Sequence, residues 1–368
     1  MGKMRVRKTR DAKVVDLFCG VGGLTHGMQL EGLNVVAGVD NDKSCKYAFQ
    51  KNNDSKFIHK DIEDFGSKEL DELFKKANYK ILVGCAPCQP FSSMNRTKTT
   101  EEQRRERWAP IYRFMDLITE TSPDIVSMEN VPELMKTEKY PVFETFVRLL
   151  KNKGYHVFYG VVKTIDYGVP QNRRRLVLLA SKHGEIRLIP PTHKEGSYET
   201  VKKTIAHLPK INDGEVCASD PLHRSSKLSE TNLSRIKATP KDGGSAKSWN
   251  DELMPDCYKK DSGKSYMTTV YGRMRWNDPS PTMTTHCTTL GAGRYGHPEQ
   301  DRAISLREAA LLQSFPEYYE FEEPEKISMV KTARHIGNAV PVGLGRAIAK
   351  SIKTHLKEIK KLDSSLKK

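Results

Sequence analysis

Short apolar runs alternate with longer amphipathic segments through the first half of the chain. Runs of this length and apolarity are typical of strands that are buried on both faces of a sheet. The alternation predicts a doubly wound, mostly parallel α/β sheet. The predicted strands are residues 14–18, 35–40, 57–61, 80–85, 125–130, 156–162 and 175–180, and the predicted helices are residues 24–31, 43–52, 111–121 and 140–153.

The pattern changes near Ile189, where two prolines follow. Residues 190–275 are polar and only weakly periodic, which is typical of loops and irregular structure. Further on, Ser305 precedes Glu308 at capping-box spacing and predicts a helix within residues 305–315. Residues 337–361 predict a turn that continues as a basic amphipathic helix.

The formal net charge of +15 is concentrated at the two ends of the chain. Residues 1–13 hold six Lys and Arg against one Asp, and residues 346–368 hold eight against two acids. A basic balance favours a polyanionic partner such as nucleic acid, although basic ends also act as solubilising tails.

Three further observations bear on localisation. No apolar run reaches the length of a membrane span, so we expect no membrane partner. The first ten residues are basic but lead into no apolar core, so they do not predict a secretory signal. Seven scattered cysteines suit a reducing compartment. We therefore expect a cytoplasmic protein.

The segment DLFCGVGGL (16–24) is a glycine-rich turn between a predicted strand and a predicted helix. A dinucleotide fingerprint requires glycine at position 25; Thr25 stands there and disfavours a nicotinamide-dependent oxidoreductase. Asp40 ends the next strand and suits the two hydroxyls of a ribose, and Asp61 ends the third and suits an adenine amino group. These residues indicate a nucleoside ligand without pyrophosphate, S-adenosylmethionine. A tight structural turn with acids at strand ends is the alternative.

The segment GCAPCQPFS (84–92) contains Cys85 and Cys88 at a spacing shared by zinc and redox sites. A zinc site needs a second pair of ligands at similar spacing, and the sequence has none, so we expect no metal. A redox dithiol should open a long helix, whereas a polar loop follows here. We therefore interpret the segment as one nucleophilic thiol beyond the carboxyl end of a strand, where open α/β sheets bind ligands.

Two further motifs fall at the same predicted edge of the sheet. Glu129 ends the strand at 125–130, and QNRRR (171–175) leads into the strand at 175–180. Alone, a buried glutamate is usually a paired structural acid, and an arginine cluster is usually a solvated surface. A thiol, a carboxylate and guanidinium groups at one edge favour a catalytic site.

Together these segments resemble the DNA (cytosine-5)-methyltransferases of the prokaryotic restriction–modification type. The resemblance rests on DLFCGVGG, PCQPFS, ENV and QNRRR in that order, and it continues in residues 273–285 and 334–348. It implies the sheet of an S-adenosylmethionine-dependent methyltransferase with a smaller DNA-recognition domain. The expected catalytic and cofactor-binding domain is residues 1–185 completed by 326–368, with the recognition domain and hinge at 186–325.

The resemblance also implies the chemistry. Cys88 would attack carbon 6 of cytosine and thereby activate carbon 5 for methylation. Glu129 would hydrogen-bond the ring nitrogen and the exocyclic amine, and Arg173 and Arg175 would orient the base oxygen. Because a stacked base cannot present carbon 6 to a thiol, the cytosine must be flipped out of the duplex.

The other site residues follow from the same resemblance. The expected residues for S-adenosylmethionine, and hence for the product S-adenosylhomocysteine, are Phe18, Gly20, Gly23, Leu24, Asp40, Asn41, Asp61, Ile62, Pro87, Asn338 and Ala339. The expected DNA contacts are Gln89, Ser92, Arg96 and Gln171. For Cys85 we expect a small buried packing residue, with a regulatory disulfide to Cys88 as the alternative.

The expected partner is double-stranded DNA, read at a short specific sequence by a monomeric enzyme that is paired with a cognate restriction endonuclease. A tRNA cytosine-5 methyltransferase is the alternative within the family, although residues 286–298 lack the Cys-Phe-Thr signature typical of that branch. A binding module with an inactive site is the alternative outside it.

Overall fold

The computed structural model describes residues 11–87, 101–136, 141–259 and 267–366, without the side chains of residues 101–107, 363 and 366. The described chain divides into two compact units. Unit 1 comprises the described residues up to 163, residues 174–191 and those from 342 onward. Unit 2 comprises residues 164–173 and the described residues of 192–341.

Unit 1 contains a sheet to which the described residues contribute seven strands. In chain order the strands are β1 (Ala12–Leu17), β2 (Val35–Asp40), β3 (Lys56–His59), β4 (Tyr79–Gly84), β5 (Ile125–Asn130), β6 (His156–Lys163) and β7 (Arg174–Ser181). Their spatial order is β3-β2-β1-β4-β5-β7-β6. The first five are parallel and β7 is antiparallel to both neighbours, so the predicted mostly parallel sheet is confirmed.

Helices cover the sheet of unit 1, and its strands are buried as the apolar runs predict. The helices are α1 (Gly23–Leu30), α2 (Lys46–Asn52), α3 (Ser67–Phe74), α4 (Glu101–Thr121), α5 (Pro141–Asn152) and α11 (Val342–Leu366). Helix α3 was not among the predicted helices, although its apolar side chains Leu70, Leu73 and Phe74 follow helical spacing. Helix α4 begins ten residues before the predicted start.

Helix α11 packs closely on helix α1 because glycines lie at the contact. A Cβ atom added to Gly27 would lie 2.6 Å from the carbonyl oxygen of Val342, and one added to Gly345 would lie 3.2 Å from that of Leu24. Arg346 also pairs with Glu31, with 2.7 Å between Nε and Oε1. Residues 342–366 thus complete unit 1, as the resemblance implied for the last helix.

Unit 2 is built of short elements joined by long irregular segments. They are the antiparallel pair β8 (Val216–Cys217) and β9 (Asp220–Arg224) with helices α6 (Val201–Ile205), α7 (Glu230–Ala238), α8 (Asp256–Lys259), α9 (Leu306–Leu312) and α10 (Met329–Asn338). The predicted capping box of α9 is confirmed, since Glu308 N donates to Ser305 Oγ and Ser305 N donates to Glu308 Oε2. Both Glu308 oxygens also accept from the buried guanidinium of Arg302, at 2.7 and 2.8 Å.

The compact units begin and end at other residues than the predicted domains. Helix α10 belongs to unit 2 because Gln313 Nε2 donates to the Ile336 carbonyl at 2.6 Å and Thr332 Oγ1 donates to Glu322. Residues 164–173 also belong to unit 2, where Gln171 forms a bridge with Ser280. The assignment of functional domains to these segments remains a prediction.

Among the described residues, no helix combines the length and the apolar character that crossing a membrane requires.

Candidate active site

The turn between β1 and α1 is left-handed at three positions. Phe18 has φ 59°, Gly20 has φ 50° and Gly22, the N-cap of α1, has φ 88°. Glycine adopts these angles without steric cost. A Cβ atom on Gly20 would meet no heavy atom within 4 Å, so this side of the turn is open. Phe18 is half-buried and packs edge to face on Phe114, with ring centroids 6.4 Å apart.

The carboxylate of Asp40 is attached to this turn. Its Oδ2 accepts from the backbone N–H of Gly20 at 2.8 Å, and its Oδ1 accepts from that of Asp42 at 2.8 Å. Burial raises the pKa of Asp40, while the two backbone donors lower it. Each oxygen keeps a further lone pair, so the half-buried group can accept from a ligand hydroxyl.

Asp61 and Asn41 lie at the same edge of the sheet, because Asp40 pairs with His59 in the parallel register of β2 and β3. Asn41 Nδ2 donates to Asp61 Oδ2 at 3.0 Å. The backbone N–H of Glu63 donates to Asp61 Oδ1, and these two bonds lower the pKa of Asp61. Asn41 and Asp61 are exposed, whereas Ile62, Gly23 and Leu24 are buried.

A second buried carboxylate supports the turn and was not among the predicted site residues. Thr25 Oγ1 donates to Asp16 Oδ2 at 2.6 Å, and both residues are almost wholly buried. Desolvation raises the pKa of Asp16 to about 7, against the lowering effect of the Thr25 hydrogen bond. Thr25, which replaces the glycine of the dinucleotide fingerprint, is the feature of the sequence from which this contact could have been predicted.

Glu129 lies at the carboxyl end of β5 and is 3% exposed. Its Oε1 lies 2.9 Å from Nε of Arg175, at the start of the neighbouring strand β7. Its Oε2 accepts from the thiol of Cys85 at 2.9 Å. The structure thus brings together two of the predicted catalytic residues, Glu129 and Arg175, and adds a thiol that was predicted to be a buried packing residue. Cys85 is instead half-buried and hydrogen-bonded.

The predicted nucleophile falls outside the described residues. Cys88, Gln89, Ser92 and Arg96 all lie in residues 88–100, of which the structure describes nothing. The described chain stops at Pro87, which is exposed. Just before it, the backbone N–H of Cys85 donates to the Leu17 carbonyl at 3.3 Å and so continues the β1–β4 contact past the end of β4.

Four predicted site residues belong to unit 2: Gln171, Arg173, Asn338 and Ala339. Arg173 is 5% exposed, and its Nη1 and Nη2 donate to the carbonyls of Met283 and Gly337 at 2.8 and 3.2 Å. Asn338 ends α10 and is exposed, and Ala339 is half-buried after it. These contacts make Arg173 a residue that joins three segments of unit 2.

Gln171 is fully buried, which argues against its predicted DNA contact. Its Nε2 donates to the Leu312 carbonyl at 3.1 Å and to Gln313 Oε1 at 2.8 Å, and its Oε1 accepts from Met283 N at 2.9 Å. A side chain whose polar atoms are all engaged without exposed surface has nothing to offer a phosphate. We therefore interpret Gln171 as a residue that holds unit 2 together.

Comparison with known proteins matches this arrangement to one family. The model of the C-5 cytosine-specific DNA methylases matches residues 12–354. The type II methylase M.HgiDII of Herpetosiphon aurantiacus is 50% identical over 343 residues, which cover 93% of this chain and 95% of that protein. The type II methyltransferase M.Sau96I of Staphylococcus aureus is 28% identical over 96% of this chain and 78% of its own length.

The fold has a counterpart among solved structures. A prophage-encoded DNA modification methyltransferase from E. coli superposes with a TM-score of 0.70 over 94% of this chain and 99% of that one, at 22% identity. The family model spans both the glycine turn after β1 and the Glu129–Arg175 pair. The chain therefore belongs to the C-5 cytosine-specific DNA methylase family and is a DNA (cytosine-5)-methyltransferase.

Proposed function

We propose that the protein transfers the methyl group of S-adenosylmethionine to carbon 5 of a flipped-out cytosine in a short specific duplex sequence. We further propose that it is the modification enzyme of a type II restriction–modification system, since its 50% identical relative is named a type II methylase. The observation that carries the proposal is the buried Glu129–Arg175 pair at the sheet edge to which Cys88 is connected by three residues.

The described residues fit S-adenosylmethionine at the turn after β1. The open side of Gly20 leaves room for a ligand, and the oriented Asp40 carboxylate accepts two ribose hydroxyls. Asp61, held by Asn41, is placed one strand further for the adenine amino group. When bound, the group supplies an electrophilic sulfonium methyl. The remaining proposed contacts in unit 1 are Phe18, Gly23, Leu24, Ile62 and Pro87.

Cys88 is the proposed nucleophile, on the grounds of its position in PCQPFS. Its thiolate adds to carbon 6 and makes carbon 5 an enamine carbon that takes the methyl group. Loss of the carbon-5 proton and elimination of the thiolate restore the aromatic base. The product is 5-methylcytosine, with S-adenosylhomocysteine released.

Glu129 and Arg175 are the proposed groups for the cytosine edge. Glu129, which is 3% exposed, is the proposed hydrogen-bond partner of the ring nitrogen and the exocyclic amine. Arg175 is paired to Glu129 through Nε, and its Nη1 donates to the Arg174 carbonyl at 2.7 Å, so Nη2 is the nitrogen that we propose for the base oxygen. For Arg173 we propose a positioning role, because its terminal nitrogens already donate to backbone carbonyls of unit 2.

For unit 2 we propose the reading of the DNA sequence, and for the basic residues that follow Cys88 in the sequence we propose contacts to phosphates. Such an enzyme would act as a cytoplasmic monomer on double-stranded DNA, and a cognate endonuclease would share its target. The net charge of +15 would make its binding strongly dependent on salt.

Bisulfite sequencing of a plasmid from cells that express the protein tests the reaction and finds the target together. We expect one cytosine of a recurring short motif to resist bisulfite conversion. In Cys88→Ala this cytosine should be converted like the others. A duplex with 5-fluorocytosine at that site should then trap a covalent adduct, because this base has no carbon-5 proton to lose. If no motif resists conversion and the protein instead transfers labelled methyl groups to tRNA, the proposal is wrong and the tRNA alternative is correct.

A further inference from the structure

The side chains of Cys85 and Glu129 meet because of strand register. In the parallel pairing of β4 and β5, Gly84 lies opposite Met128, so the next residues on each strand are Cys85 and Glu129. The backbone of Cys85 is held by its N–H bond to the Leu17 carbonyl. Its Sγ lies 2.9 Å from Glu129 Oε2. The contact therefore joins two strand ends that are both fixed by the sheet.

The two oxygens of Glu129 are in different situations. Oε2 accepts the thiol proton of Cys85. Oε1 has the Arg175 guanidinium at 2.9 Å as an ion-pair partner, but among the described residues it accepts no well-directed hydrogen bond. A buried carboxylate oxygen with unused acceptor capacity can take a substrate donor. The thiol therefore leaves Oε1 as the oxygen available to the base.

We propose that Cys85 is a positioning residue for Glu129, an inference that rests on the proposed function of Glu129. Only a neutral thiol can donate, so Cys85 acts as S–H and takes no part as a nucleophile. Its bond selects one rotamer of the glutamate and directs Oε1 at the cytosine edge. A thiol is a weak donor, so it orients the carboxyl group without strongly opposing the protonation that catalysis requires.

The inference is tested in the full-length protein with Cys85→Ala, which removes the donor, and Cys85→Ser, which keeps one. Cys217→Ala is the matched control, since it removes another half-buried thiol, one that lies beside Ser219 in unit 2. We expect Cys85→Ala to lower kcat about tenfold, the effect of losing one hydrogen bond in the transition state, and to move the alkaline limb of the kcat profile. The KM for S-adenosylmethionine should stay unchanged. Cys85→Ser should recover most of kcat, and Cys217→Ala should match the wild type.

A second readout is independent of catalysis. The infrared difference between wild type and Cys85→Ala isolates the S–H stretching band of Cys85. We expect this band to shift in Glu129→Gln, because an amide oxygen is a weaker acceptor than a carboxylate.

The outcomes separate the two proposals. An unshifted band in Glu129→Gln, or a Cys85→Ala variant with wild-type kcat and pH profile, overturns the role of Cys85 while leaving the methyl transfer intact. A wild-type protein that methylates no cytosine overturns the proposed function, and the positioning role falls with it even if the band shifts. A loss of kcat in Cys85→Ala that Cys85→Ser does not recover also counts against the hydrogen bond.

Discussion

Thr25, in the first turn of helix α1, donates a hydrogen bond from Oγ1 to Oδ2 of Asp16, in strand β1, over a distance of 2.6 Å. The bond links strand β1 to helix α1 across the glycine turn that joins them. Desolvation raises the pKa of this aspartate to about 7. The turn after β1 is thus in contact with an acid whose pKa is raised to about 7.

Asp16 should make stability fall with rising pH. Its pKa is raised by folding, so its contribution is fully present below the unfolded value of 3.8 and is lost as the pH passes about 7. We expect the free energy of unfolding of the wild type to fall relative to Asp16→Asn between about pH 4 and about pH 7, by on the order of a few kcal/mol at most. Urea unfolding at several pH values measures this; parallel curves for the two proteins would contradict it.

Arg175 should matter more than its neighbour on the same strand. We expect Arg175→Lys to lower kcat roughly a hundredfold, since a lysine cannot pair with Glu129 and reach the base oxygen together. Arg174→Lys is the matched control because Arg174 is exposed one residue earlier, and it should keep kcat within about twofold. Single-turnover methyl transfer measures both variants, and equal rates would exclude the role of the Glu129–Arg175 pair.

Asp40 should govern the affinity for S-adenosylmethionine. Asp40→Asn removes the charge that two ribose hydroxyls would meet, and we expect a dissociation constant about 10- to 100-fold higher. Asp71→Asn is the control, since Asp71 forms only an exposed pair with Lys80. Isothermal titration calorimetry gives the affinities, and unchanged binding in Asp40→Asn would place the ribose elsewhere.

Glu308 should stabilise unit 2 at neutral pH and lose this effect in acid. Burial opposes its charge, but the bonds from Arg302 prevail and lower the pKa to about 2. Its contribution is present above the unfolded value of 4.5 and is lost as the pH falls towards about 2. We expect Glu308→Gln to cost about 3–5 kcal/mol at pH 7 because the buried Arg302 loses its partner, and less in acid. Chemical denaturation at pH 7 and at about pH 3 measures the difference, with the exposed Glu317→Gln as control. An equal loss of stability at the two pH values would contradict the ion pair.

Gly27 should be intolerant of even one methyl group. A Cβ there would lie 2.6 Å from the Val342 carbonyl and 2.8 Å from the Arg346 nitrogen, so Gly27→Ala must separate α1 from α11. We expect a loss of about 1–3 kcal/mol in thermal or urea unfolding. Gly160→Ala is the control, because the nearest atom to its added Cβ lies 3.9 Å away. Similar stability of the two variants would mean that the helices adjust freely.

Much of unit 1 could be predicted from the sequence, because its strands are short, apolar and bounded by polar residues. Strands β2 and β5 begin and end where predicted, and the other strands differ by one or two residues at their ends. Unit 2 could not be predicted in the same way. Its fully buried arginines have partners that no local periodicity reveals: Arg273 pairs with Asp301, 28 residues away, and Arg302 donates to the Ile211 carbonyl, 91 residues away.

The sequence by itself determined the alternation of strands and helices, the glycine turn with its carboxylates, and the motif order that identifies a cytosine methyltransferase. Each of these depends on neighbouring residues or on residue types in a fixed order. Only the tertiary structure decided which side chains meet. Strand register sets Cys85 against Glu129, 44 residues apart, and directs Arg175 to that glutamate while Arg173, two residues earlier, donates to Met283 and Gly337. Those pairings depend on the register of the strands and on the packing of distant segments. Both are properties of the folded chain and cannot be read from any single position.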